Sequence, residues 1–293
     1  MMMHAVSDED VVALQKIEES SKKLQEQGNY NEALEYLERG LVIRNHFFGR
    51  DSQEVKSACI AVGELCNLLA MKHLDKHNYS LAHELLGKAE VLTKRDPKSL
   101  AVTYNNLACY YRRNGKLRTS LQCLQKALRL ESKFANTVKN QADTYLNMCA
   151  VLSQLGRHQS ALEHAQSALI MLHERSFTNE NVGHGNTNET IPFDRITVLA
   201  IAYYNIGVQQ EYLKKHDCCI LSYQKGLEIA QRSLGNDHTI TGKLKEAYMS
   251  AKSLEESRTS NQVKKKMFEK KERFEFKQTM RRLKKNLETK KIL

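Results

Sequence analysis

The residues of this chain with the clearest chemical potential are three asparagines, Asn106, Asn147 and Asn205, at the same position of three recurring stretches. A carboxamide donates and accepts hydrogen bonds at once, so it can recognise a ligand or bond neighbouring helices and water. Arg112 and Arg113 follow about one turn later. An acidic ligand or plain solvation fits them equally. His73 and His77 are four apart, a spacing compatible with a metal on a helix face, but no third ligand has matching spacing. They read as turn and surface histidines. Cys218 and Cys219 are adjacent and must point in different directions on a helix, which suits packing. The chain has no Gly-rich phosphate loop, Gly-x-Ser-x-Gly, His-Glu-x-x-His or Cys-x-x-Cys. No catalytic, cofactor-binding or metal-binding residue is therefore expected, and the chain reads as no enzyme.

A second chemistry lies at the C-terminal end. From Asn261 onward there are 13 Lys or Arg and 4 Glu, so this segment carries +9 of the net +11. Lys264, Lys265, Lys266, Lys270, Lys271, Arg281, Arg282, Lys284 and Lys285 form the clusters. Such clusters can dock on an acidic surface such as that of tubulin, on nucleic acid or on anionic lipid. They also fit a nuclear import signal or a solvated helix. Phe268, Phe274 and Phe276 are the only aromatics there, a poor stacking platform for single strands.

These residues are positioned by a repeated pattern. Tyr104-Asn105-Asn106-Leu107-Ala108 is followed by Tyr111, Gly115, Leu117, Ser120, Leu124 and Ala127. The spacing returns as Tyr145-Leu146-Asn147-Met148-Cys149 with Leu152, Gly156, Ala161, Ala165 and Ala168. It returns again as Tyr203-Tyr204-Asn205-Ile206-Gly207 with Gln210, Lys214, Cys219, Tyr223 and Gly226. Gly28, Tyr30, Ala33, Leu37 and Gly40 match the same columns, and Cys66, Ala70, His77, Ala82, Leu86 and Ala89 do so more weakly. A fixed period of this size predicts a stacked array of helical hairpins. Small residues at Ala108 and Gly207 would admit the second helix of the same unit. Ala127, Ala168 and Gly226 would admit the first helix of the next.

The pattern resembles the tetratricopeptide repeat (TPR) family, whose units are helix–turn–helix. The resemblance implies an all-α, right-handed TPR superhelix with a concave groove, and a protein-binding rather than catalytic role. It implies that Asn106, Asn147 and Asn205 face the groove, where they can bond the backbone of an extended peptide, with Arg113 near them. The Lys/Asn/Lys/Arg pattern that grips chaperone C-terminal carboxylates is not reproduced, because Leu146 and Tyr204 precede two of the asparagines. A chaperone cofactor is the weaker reading. Turn positions Gly28, His77, Gly115 and Gly156 are widely spaced, so the second helices are long. Together with Leu234-Gly235-Asn236-Asp237-His238 this is similar to the repeats of kinesin light chains, which implies a cytoskeletal or ciliary adaptor. A nucleic-acid-associated adaptor is the main alternative.

The expected layout is a TPR solenoid over 1–255, with repeats at about 7–49, 55–96, 100–134, 141–175 and 198–235. A flexible Gly/Asn-rich insertion is expected at 176–194, a capping helix at 238–255, and a basic helical tail at 256–293. Phe276, Met280, Leu283 and Leu287 form a short coiled-coil-like stripe within the tail. No apolar run reaches the roughly 20 residues of a membrane span. The start lacks the basic flank and apolar stretch of a secretory signal. Seven scattered cysteines suit a reduced compartment, cytoplasmic or nuclear, where the sequon at Asn188 would be idle.

Overall fold

A computed structural model describes residues 8–134, 141–180 and 193–290. Among the described residues every regular element is helical. The α-helices are α1 (Asp8–Glu26), α2 (Tyr30–Phe48), α3 (Gln53–Asp75), α4 (Tyr79–Thr93), α5 (Pro97–Arg113), α6 (Leu117–Glu131), α7 (Gln141–Gln154), α8 (His158–Glu180), α9 (Phe193–Tyr212), α10 (His216–Leu234) and α11 (Thr239–Lys290). The chain divides into two compact units, Met1–Thr190 and Ile191–Leu293. The first contains four antiparallel hairpins, α1/α2 to α7/α8, and the second contains the hairpin α9/α10 followed by α11.

Each hairpin turns in the same way. The second residue after the first helix has positive φ: Gly28 (82°), His77 (59°), Gly115 (72°), Gly156 (72°) and Lys214 (58°). Its N–H and that of the next residue close two bonds onto the helix end. Asn29, Asn78, Lys116, Arg157 and Lys215 donate to the carbonyls of Leu24, His73, Tyr111, Leu152 and Gln210 over 2.8–2.9 Å. This is the Schellman arrangement, which satisfies carbonyls a helix end otherwise leaves open. Glycine reaches the left-handed region freely, whereas His77 and Lys214 must hold a Cβ there at a cost.

Asp96-Pro97 both stops α4 and starts α5. Proline occupies the first turn of α5, where a missing N–H is harmless, and the Asp96 carboxylate accepts from Ser99 N–H at 2.8 Å. Ser52 caps α3 likewise, accepting from Val55 N–H at 3.2 Å. The N-terminal cap expected at Ser7 lies outside the described residues.

Small residues set the separation of the helices. In unit 1, Ala33, Ala82, Ala127, Ala161 and Ala168 are fully buried, and Ala108 nearly so. Ser120 replaces alanine in one column and donates its hydroxyl to the Ala108 carbonyl at 2.7 Å. In unit 2, a Cβ on Gly207 would meet the Tyr223 ring of α10 at 2.3 Å. A Cβ on Gly226 would meet Leu244 of α11 and Tyr203 of α9, both at 2.9 Å. Gly207 thus admits the second helix of its own unit, and Gly226 the helix that follows.

Two boundaries differ from the sequence reading. α8 continues to Glu180, so the first five residues of the expected insertion at 176–194 are helical; residues 181–192 lie outside the described part. α11 passes through position 255 without a break, making the capping helix and the tail one 52-residue element. After Gly242 it meets neither glycine nor proline, the residues that end helices most sharply.

Candidate binding face of the first helices

Within unit 1 the first helices α3, α5 and α7 pack side by side, α3 on α5 and α5 on α7. A polar ladder joins them. Asn67 of α3 is buried, and its Nδ2 donates to Thr103 Oγ1 of α5 at 2.9 Å. Its Oδ1 accepts from Asn106 Nδ2 at 3.1 Å. One repeat later the arrangement recurs. Asn105 is buried, its Nδ2 donates to Thr144 Oγ1 of α7, and its Oδ1 accepts from Asn147 Nδ2 at 3.3 Å. The Thr103 hydroxyl donates to the Ser99 carbonyl at 3.0 Å, and the Thr144 hydroxyl donates to buried Glu131 Oε1 at 2.8 Å. Buried polar groups demand such partners, so the ladder fixes the register of one first helix on the next.

Two of the three recurring asparagines are therefore brought into one array. Asn106 and Asn147 are half-buried, and each spends one N–H on its neighbour. The carboxamide has a second N–H and an oxygen with two lone pairs for further bonds. Asn205, on α9 of unit 2, is also half-buried. The columns that hold Thr103 and Asn105 hold Ala202 and Tyr204 there, so that step of the ladder has no counterpart.

Arg113 serves α3. Its guanidinium donates to the Leu74 carbonyl at 3.0 Å and to Asp75 Oδ1 at 2.7 Å, the last two residues of that helix. A cation at a helix C-terminus satisfies open carbonyls and the negative end of the dipole. Two exposed carboxylates lie near the ladder, Glu64 on α3 and Asp143 on α7. Glu64 precedes Asn67 by three residues and Asp143 precedes Asn147 by four, and both side chains reach solvent. Burial of its surroundings, then Asp96, holds the Glu64 carboxyl above the usual range. Burial alone raises Asp143. Sequence reading missed Asn67, Asn105, Glu64 and Asp143. The signal was available in register: Glu64, Val102 and Asp143 repeat at the same step as Asn67, Asn105 and Leu146.

The remaining candidates are structural. His77 is the left-handed turn residue, with Nδ1 3.3 Å from the Tyr79 hydroxyl. Among the described residues no three metal-capable side chains cluster. Cys219 is buried and its thiol donates to the His216 carbonyl at 3.1 Å, while Cys218 is exposed. Burial pushes the thiols of Cys66 and Cys219 up to about 11 and that of Cys149 to about 12, so these stay protonated near neutrality. In the tail, Lys270 and Lys271 are exposed on α11. Lys264, Lys265, Lys266, Arg281, Arg282, Lys284 and Lys285 lie on the same helix, with side chains outside the described part, as are those of the Phe276–Leu287 stripe. Among the described residues no helix is long and apolar enough to cross a membrane.

Hairpins with a shared turn, small-residue columns and stacked first helices define a repeat scaffold. Tetratricopeptide-repeat family models match residues 24–54 and 99–172, so the chain carries tetratricopeptide repeats. No curated protein sequence matches it. Among solved structures, BtubC (BKLC) from P. vanneervenii is similar at 18% identity, over 82% of this chain and 87% of that one, with TM-score 0.54. A signal-transduction ATPase with a tetratricopeptide-repeat sensor, from Pyrococcus horikoshii, is similar at 13% identity, over 83% of this chain and 37% of that one, with TM-score 0.52. The putative kinesin light chain repeats of Podosopora anserina align at 12% identity, over 76% of this chain and 96% of that one, with TM-score 0.48. The first two likenesses establish the all-α repeat fold. That fold is one of protein–protein interaction scaffolds.

Proposed function

We propose that this chain is a non-catalytic adaptor with two working surfaces. The exposed face of α3, α5 and α7 binds a peptide or helix of a partner protein, and the basic end of α11 docks on an acidic surface, in a cytoskeletal or ciliary setting within the cytoplasm. The observation that carries the first half is the ladder. Asn106 and Asn147 are held in one orientation by Asn67 and Asn105, with bonding capacity left over. Preorganised amides bind with less loss of side-chain freedom than mobile ones. The second half rests on charge: the segment from Asn261 holds +9, and the rest of the chain only +2.

The kinesin-light-chain-like repeat length and the Leu-Gly-x-Asp-His ending favour tubulin-like partners. The test is co-sedimentation of nuclease-treated protein with polymerised tubulin, comparing the full chain with one ending at Ser260. The account expects the full chain to pellet, salt-dependently, and the shortened chain to remain in solution. Pelleting of both, or of neither, overturns the docking role of the tail. Retention of the full chain on immobilised RNA or DNA that disappears with nuclease would assign the tail to nucleic acid.

A further inference from the structure

The face of α3, α5 and α7 presents exposed carboxylates and exposed apolar side chains in register. This step rests on that face being the binding surface. Two columns run across the helices. Leu68, Asn106 and Asn147 occupy one, and Glu64, Val102 and Asp143 occupy the other, about one helical turn away. The ladder bonds from Asn106 to Asn67 and from Asn147 to Asn105 show that these levels meet across neighbouring helices. Leu68 is 42% exposed and Val102 38% exposed, so the apolar members are open to a ligand. Of the two cations that would favour an acidic ligand, Arg113 is engaged by Leu74 and Asp75, and Arg112 is half-buried and lies six residues beyond Asn106, away from both columns. Glu64 and Asp143 are exposed carboxylates at the two edges of the face, with Val102 between them.

We propose that this face is selective for an extended segment of a partner protein bearing two lysines or arginines on either side of an apolar residue. Glu64 and Asp143 take the cations, Leu68 and Val102 take the apolar side chain, and Asn106 and Asn147 bond the backbone between. Packed helices lie about 8–10 Å apart, so α3 and α7 are separated by about 16–20 Å. An extended chain advances about 3.3–3.6 Å per residue, which places the two cations about five or six positions apart. Both carboxyls sit where surrounding protein has displaced water, which strengthens a bond to an arriving cation relative to one in open solvent.

The test is fluorescence anisotropy of the full chain with labelled serine-rich peptides. One carries two lysines six positions apart around a central leucine. A second has glutamates in place of the lysines, and a third has the lysines adjacent. The first should bind about tenfold or more tightly than either control, and more weakly as salt rises. Glu64→Gln with Asp143→Asn should weaken it about five- to tenfold without altering the melting temperature. Equal or tighter binding of the glutamate peptide, or indifference to the double substitution, overturns the selectivity. If the glutamate peptide binds and Asn106→Ala with Asn147→Ala abolishes it, the face is still the binding surface and only its charge preference is refuted. If no peptide responds to either pair of substitutions, the binding surface is refuted as well.

Discussion

Gly207→Ala separates the packing argument from helix propensity most sharply. In an exposed helix interior this change stabilises by about 0.8–1 kcal/mol. Gly207 is interior to α9, so propensity alone predicts a gain. Its surroundings predict a loss. The new Cβ would lie 2.3 Å from Tyr223 Cε1, 2.5 Å from Cδ1 and 2.8 Å from Cζ. Carbon atoms prefer roughly 3.5–4.0 Å, so the ring must move by about an ångström or the helices must part. Tyr223 is 1% exposed, and its hydroxyl donates to Glu211 Oε2 at 3.1 Å. A ring displacement therefore strains that bond too. Overpacking of this kind costs about 1–3 kcal/mol and a lost hydrogen bond about 0.5–1.5 kcal/mol. Set against the propensity gain, the net expectation is a loss of about 0.5–3.5 kcal/mol. Gly87 in α4 and Gly242 in α11 have nothing within 4 Å of the added Cβ. The same substitution there should stabilise by up to about 1 kcal/mol. Urea unfolding followed by circular dichroism, with one variant per site, reads the sign directly. A Gly207→Ala protein as stable as the parent, or a Gly87→Ala protein destabilised to the same degree, would refute the claim that small-residue columns set the helix separation.

The left-handed turns give a second test. His77→Gly and Lys214→Gly should each raise stability by about 1 kcal/mol or less, because glycine removes the Cβ strain at φ 59° and 58°. Thermal unfolding checks it, and a loss of stability at both sites would contradict it. The ladder predicts that Asn105→Leu alone costs about 1–3 kcal/mol, since Thr144 and Asn147 lose their partner, and that Asn105→Leu with Thr144→Val costs less than the two single changes added together. A double-mutant cycle measures that coupling. The buried acids predict alkaline sensitivity. Burial raises the Cys66 thiol from 9.0 to about 11 and the Cys149 thiol from 9.0 to about 12. Burial and then the Glu211 charge raise Tyr223 well above 10.0. A raised folded-state value keeps the proton on in the native state, so this stability is complete below the unfolded value and lost as pH climbs past it. Unfolding midpoints should therefore fall as pH rises from 9 to 11, and Cys66→Ser with Cys149→Ser should flatten the fall.

The turn positions and small-residue columns were legible because each is dictated locally. A Schellman turn needs a left-handed residue, and a close helix approach needs a small one. His77 and Lys214 were found by column although neither is glycine. What the sequence concealed was pairing between repeats. Asn105 and Asn106 are adjacent and chemically identical, yet one is buried against Thr144 and the other reaches back to Asn67, 39 residues earlier. The role of Arg113 was hidden in the same way, since its partner Asp75 is 38 residues away in the preceding hairpin. Both pairs lie one repeat apart in register, so comparing equivalent columns, rather than neighbours within a helix, is what would have exposed them. The unbroken α11 was visible as an absence of glycine and proline after Gly242. The composition changes from capping to basic near residue 255, but the helix runs through that change unbroken.

The most direct test of the two-surface account is a nuclease-treated affinity purification from ciliated cells. It compares the full chain, a chain ending at Ser260, and the full chain carrying Asn106→Ala with Asn147→Ala, each checked for helical circular dichroism and cooperative unfolding well above the assay temperature. The account predicts two separable sets of partners: tubulin or axonemal proteins lost with the tail, and a second set lost with the asparagines but kept by the shortened chain. Loss of a single common set in both variants, or of none in either, would contradict it.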